Sequence, residues 1–264
     1  MVLKSMAAVA VAALFSANAM ATLVYDQNVT SNVIFGSGVT NGSFAVDTAN
    51  GVELGLRGKL RHDAAGNPQN TFNSAGNGNY LFSTGQAFGQ AAGTGIWSFE
   101  WSINTNVDGN SGRNLSGLTY KLGVDSNPSA ATSFSIFDPI NGVNPNLSGF
   151  WDHSIGNNAT AMGGGAEAPD ASTYASLIGG NNLAQNSWKP SWFLQNFDPE
   201  IDGTYTFFLE AWQPETAIAG SIMLARTEIN VIVGRGGNVP EPGTLALAGL
   251  ALLGITARQL RRKG

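Results

Sequence analysis

Two carboxylates, Glu100 in GIWSFEWSIN and Glu210 in GTYTFFLEAW, stand in the middle of strictly alternating segments. Carboxyl groups about 5 to 9.5 Å apart are what glycoside hydrolysis requires, one as acid and the other as nucleophile or base. Neighbouring strands would supply that spacing. However, FEWSIN has no second carboxylate, and solvent-facing strand positions account for both residues. The two histidines, His62 in RHDAAG and His153 in FWDHS, lack partners at metal-ligand spacing. Asp152 and Ser154 flank His153, but a Ser/His/Asp triad is assembled in space rather than between sequence neighbours, so a surface histidine is the expectation. Asn104, Asn106, Asp108 and Gly109 copy the first half of an EF-hand loop, yet the twelfth position is Leu115 instead of a bidentate Glu. A turn fits NTNVDG better, and a solvated loop fits Asp198, Glu200 and Asp202. No catalytic residue, metal or cofactor is expected.

Of the six tryptophans, Trp97 and Trp101 share an apolar stripe and belong to a core. Trp151, Trp188 and Trp192 lie in loop-like sequence, where their rings would either stack on sugar faces or pin long loops to the core. These three are the candidate ligand aromatics.

The elements that must position these groups are strands. Trp97, Phe99, Trp101 and Ile103 fall on one face of their segment, with Ser98, Glu100 and Ser102 on the other. Leu118, Tyr120, Leu122 and Val124 repeat the pattern beyond a loop containing Asp108-Gly109, which predicts a hairpin. Tyr205 to Ala211 and Met223 to Val233 predict a second, closing hairpin. Residues 44–47, 52–60, 79–83 and 134–137 are further strands. Residues 61–78 read as a long polar loop, and 138–191 as loop with one short helix near Ala171 to Ile178. Seven to ten strands separated by Gly/Asn turns predict an all-β, antiparallel β-sandwich or jelly-roll-like body over residues 22–237.

The chain has no cysteine, so neither disulfides nor thiolate chemistry contribute. Residues 1–21, MVLKSMAAVAVAALFSANAMA, have the charge, apolar core and small-x-small site of a secretory signal peptide, cut after Ala21 or Ala19. Between the two end segments there are eight basic and seventeen acidic residues, a formal charge of −9. That balance argues against nucleic acid and against adhesion to anionic lipid through a basic patch.

Residues 238–264 close the chain with NVPEPGTLALAGLALLGITARQLRRKG. Pro240 and Pro242 hold Val239-Pro240-Glu241-Pro242 extended and accessible. The apolar run carrying Leu245, Leu247, Leu250, Leu252, Leu253 and Ile255 is fourteen residues long from Thr244 to Ala257. That is about 21 Å of helix, against a bilayer core of roughly 30 Å. If Arg258 snorkels, Gly243 to Leu260 span about 27 Å, a marginal transmembrane-type helix, with Arg258, Arg261, Arg262 and Lys263 as a cytoplasmic basic stop.

This arrangement resembles the PEP-CTERM sorting signal of Gram-negative bacteria. Gly243, where Ser or Ala is usual, is a minor departure. The resemblance covers about a tenth of the chain. It implies export by the secretion machinery, an inner-membrane intermediate, and processing near the motif by exosortase, a membrane-embedded transpeptidase-like enzyme. The body would then reach the cell surface or extracellular matrix of a bacterium that produces exopolysaccharide or biofilm, in a non-catalytic structural or adhesive role. A lectin-like module or a glycan-active hydrolase is the alternative for the body. The same tail is also labelled an ice-binding protein C-terminal domain, but the body has no rows of Thr-x-Thr.

Overall fold

A computed structural model describes residues 23–35, 39–142, 151–194, 197–216 and 220–236. The signal peptide and the whole 238–264 tail lie outside the described residues. Among the described residues no helix is long and apolar enough to cross a membrane.

Among the described residues the regular structure is almost all β, in two sheets. Sheet A has the order β1 (Val24–Gln27), β2 (Phe44–Ala49), β3 (Val52–His62), β6 (Trp97–Asn104), β10 (Leu183–Trp188), β9 (Ser154–Gly156), with β4 (Pro68–Thr71) also paired to β3. Sheet B runs β5 (Asn79–Phe82), β12 (Ile222–Val233), β11 (Gly203–Gln213), β7 (Thr119–Asp125), β8 (Phe134–Phe137). Among the described residues the one α-helix, α1 (Ala171–Gly180), starts where the Asp170 side chain accepts the Thr173 N–H at 2.7 Å. Pairing is antiparallel except between β12 and β5, which run parallel.

The alternating stripes face one another across a shared core. Phe99 of sheet A stacks on Phe207 of sheet B at 4.4 Å, and Trp97 packs against Tyr205 and Phe207. Gly58 lets the layers meet: a Cβ there would lie 2.7 Å from the Tyr80 Cβ.

The β11–β12 hairpin forms as expected, with Tyr205 opposite Val231 and Glu210 opposite Arg226. The hairpin expected between Trp97–Ile103 and Leu118–Val124 does not. β6 belongs to sheet A and β7 to sheet B, so the Asp108-Gly109 turn sits in a crossover between the layers. The reason is that both strands carry large apolar stripes, and placing them in opposite sheets buries each stripe against the other layer. The loop regions also hold strands: β4 lies within 61–78, and β9 and β10 within 138–191.

The second correction concerns the far face of sheet A. All of β6 is buried, including Ser98, Glu100 and Ser102. A strap, described over residues 29–35 and 39–43, covers that face, packing Val29, Val33 and Val39 with Phe44 and Val46 into a second small cluster. The sheet's own polar side chains hold the strap down. Glu53 accepts from Thr30 N and Thr30 Oγ1 at 2.6 and 2.8 Å, while Gln185 accepts from Ile34 N and donates to the Asn32 carbonyl. Gly55 makes room, since a Cβ there would stand 2.6 Å from Val29 Cγ1.

Candidate functional site

On the strap side of β3, alternation places Arg57, Lys59 and Arg61 in one row, two residues apart. Glu100 faces them from β6, directly opposite Arg57 in register. Its Oε2 lies 2.6 Å from both Nε and Nη2 of Arg57, and Oε1 lies 3.0 Å from Lys59 Nζ. Arg57 also donates to the Thr40 and Gly42 carbonyls and is flanked by the rings of Phe44 and Phe72 at 4.1 and 3.8 Å. Burial pulls its guanidinium below the ordinary arginine range, and the Glu100 charge offsets part of that.

Further along the row the geometry opens into a cleft of about 280 Å³, near the lower end of small-molecule pockets. Phe35 and Val39 of the strap, Lys59, Arg61 and His62 of β3, Pro68 to Asn70 of β4, and Ser187 of β10 line it. Arg61 donates to Ser187 Oγ at 3.0 Å. Its guanidinium carbon is 6.0 Å from the ring centre of Trp192, and Lys189 Nζ is 5.8 Å from the same ring. His62 Nδ1 lies 3.3 Å from the Gly66 carbonyl, whereas its buried Nε2 has no protein partner. Burial, then the nearby charges of Lys189 and Arg61, lower the His62 pKa; burial, then Arg61, lower that of Lys189. Sequence reasoning passed over this row. The available signal was RGKLR, three of the body's eight basic residues within five positions of one strand.

Of the candidate aromatics, Trp151 and Trp188 are each 1% exposed. Trp151 donates to the Gly142 carbonyl and packs against Phe137, His153 and Trp188, so both residues belong to the core rather than to loop surfaces. Trp192, 43% exposed, lies beside the Arg61 and Lys189 cations rather than in the core. His153, expected at the surface, is fully buried. Nε2 donates to the Pro139 carbonyl at 2.5 Å and Nδ1 accepts from the Asn186 amide at 3.1 Å. It sits edge-on to Trp101, because the supposed loop around it carries β9 on the rim of sheet A.

Glu100 and Glu210, expected on wet faces, are not brought together. Glu100 is buried on the strap side of sheet A, while Glu210 lies on the far side of sheet B, paired with Arg226 and accepting from Trp212 Nε1. Two stacked sheets, whose backbones alone are about 10 Å apart, stand between them. That exceeds the separation either glycosidase geometry uses. The EF-hand-like loop spends its oxygens internally: Asn106 Oδ1 accepts from Ser111 and Gly112, and Asp108 Oδ1 from Asn110. In the DPEIDG loop, Glu200 accepts from Gln86 N and Asp202 from Arg235. Among the described residues no group of three or more His, Asp or Glu is placed to hold a metal ion.

No curated protein and no solved structure matches the chain. A family model described as the PEP-CTERM protein-sorting motif matches residues 238–263, the segment containing Val239-Pro240-Glu241-Pro242, the apolar run and the basic cluster. The chain therefore carries a PEP-CTERM protein-sorting motif, which implies an exported protein with exosortase as its processing partner.

Proposed function

We infer that residues 1–21 direct export and that residues 238–264 hold the protein transiently in the inner membrane. Exosortase cuts near Pro240-Glu241-Pro242, and the β body, residues 22–237, is delivered to the cell surface or matrix. There it acts without catalysis, as a structural or adhesive component among exopolysaccharide. The observation that carries this reading is the sorting-motif match over residues 238–263. It is supported by the preceding signal-peptide pattern and by an apolar run whose length in the sequence is marginal for permanent anchoring.

Intact mass and terminal peptides of the surface-exposed protein test it. The expected N-terminus is Thr22 or Met20, and the peptide containing Arg258 to Lys263 should be missing. Replacing Pro240 and Glu241 together by Ala should leave a longer protein in the inner-membrane fraction. A surface protein that retains its Arg/Lys tail, or a cytoplasmic one with Met1 intact, would overturn the reading.

A further inference from the structure

Sheet B ends in a strand edge that the described chain leaves open. Among the described strands β8 pairs with β7 alone, from Asp125 opposite Phe134 to Leu122 opposite Phe137. One step back in the same register, Ser126 N–H donates to the Ser133 carbonyl at 2.9 Å. Antiparallel strands turn the backbone groups of alternate residues towards a given neighbour, so Ser133, Ser135 and Phe137 direct theirs at β7. Phe134 and Ile136 therefore turn their N–H and C=O groups outward, where no described residue pairs with them.

The other edges are blunted. Asn73 and Ala75 exchange backbone bonds with Leu81 and Asn79 along β5, and Ile155 of β9 exchanges two with Ala166. β1 is bulged and carries Asp26, and β4 opens with Pro68. β8 has none of these devices. No charged residue occurs from Ser126 to Phe137, in a body of formal charge −9. The flanking acids are engaged in their own turns: Asp125 accepts from Asn127 N and Ser133 N, and Asp138 from Tyr120 N, Ile140 N and Asn141 N. Two copies of so acidic a body repel each other least where one uncharged edge meets another.

The side chains fit a second β8. Phe134 and Ile136 share the outer face of sheet B, where Phe134 meets Phe208 edge-on at 5.0 Å, while Phe137 packs inward on Trp151 and Phe193. Ile136 is 56% exposed, and its neighbour on β7, Gly123, has no side chain to cover it. An antiparallel copy of β8 with Ser135 opposite Ser135 sets Phe134 of each copy opposite Ile136 of the other. Both are outward-facing residues, so each such pair exchanges both of its N–H···O=C bonds and gains an aromatic contact with a β-branched side chain. One two-fold axis generates the whole contact, which is self-complementary.

We propose that β8 is a homodimerisation edge, through which two copies join their five-stranded sheets into one continuous sheet centred on Ser135. Such an edge gives an exported body a means of assembling with its own kind at a surface. Dimerisation through β8 is independent of the sorting route, because it is read on purified protein whatever its processing.

The chain has no cysteine, so single cysteine substitutions report the pairing directly. The test uses the full chain in non-ionic detergent: sedimentation equilibrium of the unsubstituted protein, and oxidation of Ser135→Cys and Ile136→Cys read by non-reducing electrophoresis. The unsubstituted protein should show a concentration-dependent dimer. Opposite residues of a non-hydrogen-bonded pair have Cα atoms about 4.5 Å apart, within disulfide range. Ser135 is exposed, so Ser135→Cys should give a covalent dimer, whereas Ile136→Cys, facing Phe134, should give about tenfold less. Ile136→Lys sets a charge against Phe134 of the second copy, and Ile136→Pro removes an outward N–H that β7 does not use. Each should weaken the dimer about tenfold or more. Because Ile136 is exposed, the lysine variant remains informative even if the proline variant misfolds. A protein that stays monomeric at its highest soluble concentration, or crosslinking at Ile136→Cys as strong as at Ser135→Cys, would overturn the proposal. A dimer that survives Ile136→Lys would also overturn it, and would assign the association to the tail or another surface.

Discussion

His153 should make this protein acid-labile in a measurable and separable way. Its imidazole is enclosed by Trp101, Trp151, Trp188 and Tyr174, and burial lowers its pKa from 6.5 to about 3. Below pH 6.5 the unfolded chain takes up a proton that the folded chain refuses, so the contribution is complete above 6.5 and is lost as pH falls towards 3. The slope is about 1.4 kcal/mol per pH unit, so acidification to pH 4.5 costs roughly 3 kcal/mol. Protonation would also turn Nδ1 into a donor facing the Asn186 amide, which donates to it in the neutral state. Buried carboxylates contribute with the opposite sign, since burial raises the pKa values of Asp47 and Glu53. A comparison with His153→Gln cancels them. Urea unfolding of both proteins at pH 7.0, 5.5 and 4.5 is the assay. The variant is expected to be less stable at pH 7, with the gap narrowing by about 3 kcal/mol at pH 4.5. A gap that stays constant within about 0.5 kcal/mol over that range would refute the assignment of a neutral, buried imidazole.

The remaining predictions concern packing and charge. Glu100→Gln should destabilise by about 3–5 kcal/mol in urea unfolding, because it leaves Arg57 and Lys59 buried without their counter-charge, whereas Arg57→Met, Lys59→Met and Glu100→Met together should recover much of that loss. Gly58→Ala should cost about 1–3 kcal/mol in the same assay, since the new methyl meets Tyr80, whose hydroxyl is tied to the Ser43 carbonyl at 2.5 Å. Trp151→Ala should lower stability by about 3–5 kcal/mol, while Trp192→Ala should stay within about 1 kcal/mol of the unsubstituted protein, which separates core from rim by thermal melting. Gln185→Ala removes bonds to Ile34 N, the Asn32 carbonyl and Ser102, so the strap should be cut faster by a nonspecific protease under native conditions.

What the sequence made legible follows the physics of period-two patterns. Trp97 to Ile103 and Tyr205 to Val233 announce themselves because one face is apolar and the other polar, and both become strands of the core. The same alternation hides two facts. It does not say which strands pair: an Asp-Gly turn suits a hairpin, yet β6 and β7 part company because apolar stripes of that size are best satisfied across layers. Nor does it say that a polar face is wet. Glu100, Ser102 and Gln185 look solvated from composition, but a strap more than fifty residues earlier in the chain than β6 supplies their covering, with backbone groups for the polar tips and Val33 and Val39 for the gaps. β10 was invisible for this reason, because LAQNSW alternates between a core side and a side whose hydrogen-bond partners are remote in sequence.

The same covering explains why the cleft is where it is. The strap satisfies sheet A from Glu53 to Arg57, and beyond Arg57 its Phe35 and Val39 line the cleft together with Lys59 and Arg61. A buried face needs counter-charges inside the chain, and Glu100 supplies them for Arg57 and Lys59. Arg61 and Lys189 receive neutral hydrogen bonds in place of an internal carboxylate, although acidic residues outnumber basic ones two to one in the body. Arg61 is left with a neutral hydrogen bond and the more distant charge of Glu100, which only partly offsets the burial that lowers its pKa.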